Sequence, residues 1–155
     1  MTVEILTFLH VGTMFVAVAL SLWPAILLRL IARGRNPRAI QGFAEPIAGL
    51  GRTVAPVFVL GGLLGFAVAL VGGYDLLAPW LVIAYALYIV GTAVGALGEG
   101  RWTQDVARAA AENRDPVAGP ELVAVLTSAR GAAVFVAFAG ILALMVFDMV
   151  VKPFS

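Results

Sequence analysis

His10 is the single histidine of the chain, and it lies inside the apolar run "TFLHVGTMFVAVALSLWPAILLRL" (Thr7–Leu30). Met14 follows at i+4, on the same face of a helix, with Thr13 beside it. Near the C-terminus, "ALMVFDMVVKPFS" supplies Met145, Asp148 and Met149 at i, i+3 and i+4. At a helical rise of 1.5 Å per residue, His10 lies about 10 Å inward from Val3, and Met145 lies about 10 Å inward from Lys152. Two helices therefore bring imidazole, thioether and carboxylate groups to one depth. Imidazole with thioethers is a soft donor set that suits copper(I), and His or His–Met ligation suits haem iron. This makes His10, Met14 and Met145 candidate cofactor ligands, and His10, Met145, Asp148 and Met149 a candidate metal set. The structural alternative stands beside it. A neutral imidazole in a helix bundle donates to a carbonyl or a Thr of a neighbouring helix. The methionines then fill space, and Asp148 pairs with Lys152 at i,i+4. The default expectation is no bound cofactor, and one histidine excludes bis-His haem within a monomer.

A second polar constellation comes from the ends of the apolar runs. Arg52, Glu99 and Arg130 flank three different segments and could form an ion network. Arg29, Arg33, Arg35 and Arg38 read instead as arginines snorkelling toward lipid phosphate. No Gly-rich phosphate loop with Lys and Ser/Thr, no G-x-S-x-G and no H-E-x-x-H occurs, so nothing points to a nucleotide enzyme or a hydrolase. The absence of cysteine excludes disulfides, Cys-ligated zinc, iron–sulfur clusters and thiol nucleophiles. A net charge of +1 gives no reason to expect a nucleic-acid partner.

The elements that must position these groups follow from composition. Of 155 residues, 62% are hydrophobic and 12% charged, about half the charge of a soluble domain. Such a chain cannot cover a water-facing globule, so it reads as an integral membrane protein with one small domain over 1–155. Spanning a bilayer takes about 20 apolar residues. Four segments qualify, with helices expected at about 3–31, 47–72, 77–112 and 120–151. The fold class is an all-α, four-helix transmembrane bundle. A signal peptide is not expected at the start: the apolar run is too long and its arginines follow it.

The connections differ in kind. "VGGYDLLAPW" (Val71–Trp80) is a tight turn, which makes the second and third helices antiparallel neighbours. "ARGRNPRAIQGFAEP" (Ala32–Pro46) reads as a basic loop. "EGRWTQDVARAAAENRDPVAGPEL" (Glu99–Leu122) begins as a continuation of the third helix, supported by Arg101/Asp105, Asp105/Arg108 and Arg108/Glu112 at i,i+3 and i,i+4. The arginines flank the first and third connections, whereas the opposite side holds only Lys152. By the positive-inside rule both basic connections are cytoplasmic and both termini lie outside. The expected location is a bacterial inner membrane, with the lipid bilayer as the first partner. Gly61-x3-Gly65 and Gly91-x3-Gly95 are small-residue faces that let helix backbones approach closely. They offer surfaces for a homo-oligomer or a membrane partner. Trp23–Pro24 suggests a kink or local unwinding in the first helix.

With "FLHVGTMF" near its start and "MVFDMVVKPF" at its end, the chain resembles a family of four-helix bacterial integral membrane proteins known only as a domain of unknown function. The resemblance rests on Leu9–His10, the basic Arg33–Arg38 stretch, Pro79–Trp80, and Met149 with Lys152–Pro153. More distantly the layout looks like copper-resistance D-type membrane domains and four-helix protoporphyrinogen oxidases that carry a helix-one histidine. That likeness implies copper handling or haem chemistry at His10. The Trp-x-Gly-Gly that follows the histidine in many such proteins is replaced here by "VAVALS". Two functions are therefore carried forward: a structural or accessory membrane component, and a haem- or copper-binding redox or transport protein using His10.

Overall fold

A computed structural model describes residues 1–153; Phe154 and Ser155, at the end of the expected 1–155 unit, lie outside the described residues. The chain is all-helical, with no strand among the described residues. In order come α1 (Thr2–Ala32), α2 (Pro37–Val71), α3 (Pro79–Val94), a π-turn (Gly95–Glu99), α4 (Gly100–Glu112), α5 (Pro120–Leu126) and α6 (Ala129–Val151). Joined across the π-turn, α3 and α4 form one rod over Pro79–Glu112, and α5 with α6 covers Pro120–Val151. The resulting four long helices are each apolar and long enough to cross a membrane. The 31 residues of α1 span about 46 Å, well beyond the roughly 30 Å of a hydrocarbon core.

The surface is large and rich in apolar side chains. It exposes 9292 Å², against about 7,500 Å² for a compact soluble monomer of its 16.2 kDa mass. Large apolar side chains, among them Phe8, Phe15, Trp23, Leu63, Ile89 and Val136, stand outward on all four long helices. Most buried apolar side chains fall in three clusters along the bundle.

Local sequence explains most helix ends. Asn36 caps α2 by accepting from the backbone N–H groups of Arg38 and Ala39, and Pro37 occupies the first turn. Gly72 and Gly73 end α2, with Gly73 at φ +69°, a conformation a side chain would strain. Asp75 then accepts from the Leu77 N–H to fold the turn into α3. Ser128 caps α6 through the Gly131 N–H at 3.2 Å.

Two expectations about the elements change. The stretch Pro37–Pro46 is not a loop: it is the first part of α2, and Ile40 and Ala44 bury one face of it against α4 and α5. Proline at 46 and 56 does not stop this helix, nor does Pro24 interrupt α1. Packing on neighbouring helices sustains helix through residues that break it in isolation.

The second change concerns which helices pair. α1 packs closely on α2, and α3 on α6. At the arginine end α4 closes on α2 and α5 around Leu28, Ile40, Val106 and Leu122. α2 and α3, joined by the short turn, meet through side chains rather than by close backbone approach. The bundle is thus two helix pairs, in close approach at the arginine end and joined toward the His10 end through side chains, Ala17 and Phe58 on Phe138 and Leu142, and Ala69 on Trp80 and Leu81.

Candidate functional site

An apolar cavity of about 780 Å³ lies at the His10 end, lined by α1, α2, α3 and α6 and open at the side of the bundle, where its lining residues Phe15, Leu63 and Ile89 also face outward. His10 and Met14 line it from α1, Tyr85 and Tyr88 from α3, and Met145 and Met149 from α6. The wall is otherwise almost wholly aliphatic and aromatic.

The glycines of α2 shape it. A Cβ at Gly65 would sit 2.7 Å from Cε1 of His10, and one at Gly62 would sit 2.7 Å from the Tyr88 ring. At Gly61 it would strike the sulfur of Met14. Gly61, Gly62 and Gly65 therefore receive His10, Met14 and Tyr88 into the surface of α2. On the other pair, Gly91 receives Ile141, and Gly95 receives Phe138. Both small-residue faces expected to serve an oligomer or a partner are used within the chain.

His10 Nδ1 lies 2.8 Å from the carbonyl oxygen of Gly61. A carbonyl only accepts, so Nδ1 carries the proton, and in the neutral ring Nε2 keeps its lone pair. No protein group bonds Nε2, and it is not among the buried unpaired atoms of the described residues. It therefore faces open space in the cavity. This is the interhelical donor role expected of a neutral bundle histidine, and metal-ligating histidines have their tautomer fixed in the same way. The Tyr88 hydroxyl donates to the Phe58 carbonyl at 2.9 Å, tying α3 to α2 across the gap. The Tyr85 hydroxyl, by contrast, is buried with no hydrogen-bond partner, and its ring is tilted against Phe66 at 6.5 Å.

Of the sequence candidates, His10, Met14, Met145 and Met149 share this cavity, and Asp148 does not. Asp148 is 2% exposed, with neither carboxylate oxygen bonded. The contacts Gly98–Val134, Gly95–Phe138 and Gly91–Ile141 set an antiparallel register that continues to place Asp148 opposite Ala84. It makes no ion pair with Lys152, whose ammonium lies 5.0 Å from the ring centres of both Tyr74 and Trp80. Cation–π contact replaces the expected i,i+4 pair. Among the described residues no three His, Cys, Asp or Glu side chains gather as a metal site. Any metal in the cavity would rest on His10 and thioethers, a set whose softness fits copper(I). Haem fits poorly, because no basic side chain lines the wall to pair its propionates.

At the opposite end Glu99 is buried, but its partner is neither Arg52 nor Arg130, which are exposed. Arg29 takes it instead, in a bidentate pair with N–O distances of 2.6 and 3.0 Å. The same guanidinium donates to the carbonyls of Ala25 and Gly131, both at 3.1 Å, and stacks on Trp102 and Phe135. The snorkelling role expected of Arg29 is thus replaced by a closed internal site. Glu99 closes the π-turn, whose extra residue shifts the helical register at this point. Tyr85 and Tyr88 are the cavity residues that sequence reasoning missed. The signal available was a pair of phenols at i,i+3 inside an otherwise apolar helix, "AYALY".

Comparison of the chain with protein-family models, curated proteins and solved structures gives no match. The class that the fold itself defines is a bundle of four long apolar helices with a cavity between its two pairs.

Proposed function

We propose that this chain is a multi-pass protein of a bacterial cytoplasmic membrane that holds a lipid-soluble molecule in the His10 cavity. The arginine end faces the cytoplasm and both termini face outward, following the positive-inside rule. The observation that carries the reading is the cavity itself. About 780 Å³ of apolar space is the size of a small-molecule site. One accessible polar atom serves it, the acceptor at His10 Nε2, while the unpaired Tyr85 hydroxyl is buried out of reach. The ligand class is an apolar body carrying a hydroxyl head. A structural or accessory role, with His10 simply tying α1 to α2, is the reading that stands if the cavity takes nothing.

The test is to purify the full chain from its membranes in mild detergent and identify co-purifying organic molecules by mass spectrometry. One molecule recovered in stoichiometric amount, lost in His10→Gln and retained in Tyr85→Phe, supports the proposal. Extracts identical for wild type and both variants leave the accessory role. Topology is tested separately by single-cysteine labelling at Asp75 and Arg114, since the chain has no cysteine of its own.

A second reading is copper(I) held by His10 Nε2 with thioethers of Met14, Met145 or Met149, favoured by the fixed tautomer and the methionines around it. Stoichiometric copper, lost in His10→Ala, is its expected result. A metal-free wild type grown with added copper removes it.

A further inference from the structure

A second, smaller cleft opens at the arginine end between α4, α5 and the start of α6. It encloses about 290 Å³, and its lining includes Arg101, Asp105, Ser128 and Arg130. Both arginines are exposed, and neither has a carboxylate within ion-pair distance; the ion pairs among the described residues are Met1–Glu4 and Arg29–Glu99. Two guanidinium groups against one carboxylate leave the cleft positive. The start of α6 adds to this. The N–H groups of Ala129 and Arg130 have no backbone acceptor, while Ser128 occupies the Gly131 N–H. The Arg29–Glu99 pair beneath is closed on itself and neutral. The cleft lining also includes apolar Gly98 and Val134, and Leu97, next to Gly98 in the chain, is exposed.

We propose that this cleft binds a phosphate ester, and specifically the headgroup of an anionic membrane lipid. Guanidinium forks match phosphate oxygens in pairs, and a helix start supplies further donors. The cleft also lies where the apolar run of α3 ends and the polar helix α4 begins. If the four helices span a bilayer, as proposed above, this is headgroup level, and the apolar part of the lining lets acyl chains leave along the bundle. A soluble phosphate ester shares the headgroup chemistry but has no use for that part.

The test uses the full purified chain in neutral detergent, after confirming that it is recovered from the membrane fraction. That step tests the membrane reading on its own. Phosphatidylglycerol, phosphatidylcholine or inorganic phosphate is then added, and bound adducts are counted by native mass spectrometry. Phosphatidylglycerol is expected to be retained over phosphatidylcholine. The Arg101→Gln/Arg130→Gln double variant should hold it about 30-fold more weakly, with an unchanged helical circular dichroism spectrum. Arg33→Gln/Arg38→Gln, which removes two exposed arginines from the same end, should retain it as wild type does. Equal retention by wild type and the Arg101/Arg130 variant overturns the proposal, as does an equal loss in the Arg33/Arg38 control. Displacement of the lipid by millimolar inorganic phosphate reassigns the cleft to soluble phosphate esters and overturns the lipid assignment.

Discussion

The two ends of the bundle treat their buried polar groups in opposite ways. At the arginine end, Arg29 makes two bonds to Glu99, two to backbone carbonyls, and lies on two aromatic faces. Thr103 donates to the Glu99 carbonyl, and Trp102 Nε1 donates to the Val125 carbonyl. Nothing is left over. At the His10 end the Tyr85 hydroxyl and both oxygens of Asp148 are unpaired, and His10 Nε2 faces a cavity. Satisfied polar networks fix a structure, whereas unsatisfied buried groups cost stability and call for an explanation. The difference marks the arginine end as the clamp of the fold and the His10 end as the half that leaves buried polar groups unpaired, which is what motivates the ligand proposal.

Substitutions can break or sharpen this contrast, and the clamp should respond most. Glu99→Ala leaves Arg29 charged and unpaired, and the expected loss is about 3–5 kcal/mol, read as a large fall in Tm in detergent. Replacing both partners, Arg29→Met with Glu99→Leu, should recover most of that loss. A double variant as unstable as the single one would show that the pair does more than close the bundle.

The next effect in size is at the glycine wall. Gly65→Ala drives a methyl group into the His10 ring, and overpacking of this kind costs about 1–3 kcal/mol. Gly61→Ala should cost less, because the Met14 side chain is flexible enough to move away. Equal melting temperatures for the two variants would show that His10 is not held by the surface of α2. At His10 itself, Gln keeps a donor for the Gly61 carbonyl and Leu does not. His10→Gln should therefore melt above His10→Leu, by the roughly 0.6–1.7 kcal/mol of an interhelical hydrogen bond in a membrane bundle.

The smallest effect, and the sharpest, is at Tyr85. Removing its unpaired hydroxyl in Tyr85→Phe should leave the ligand-free protein as stable as wild type or slightly more so. Any ligand held through His10 Nε2 should be retained, because the lost hydroxyl is buried out of its reach. A clear fall in Tm for ligand-free Tyr85→Phe would show that the hydroxyl is already satisfied within the fold, and the contrast between the ends would fail.

The long apolar runs made four helices legible, because a helix that satisfies its own backbone is what such runs can form away from water. The extent of α2 was not legible: the basic residues and Pro46 look like a loop until Ile40 and Ala44 find α4 and α5 to cover them. His10 and the methionines could be placed at one depth by counting residues. That Asp148 turns away toward α3 could not, because helix rotation depends on what each face packs against.

Composition and periodicity thus determined the number of helices, the basic end and the candidate groups, since these depend on local backbone chemistry and on the cost of charge in an apolar solvent. Tertiary structure decided the partners. Glu99, at the end of the π-turn, pairs with Arg29 rather than Arg52 or Arg130, and three glycines on α2 set how close α1 and α3 come. These outcomes depend on rotation and distance between helices, which no single helix encodes.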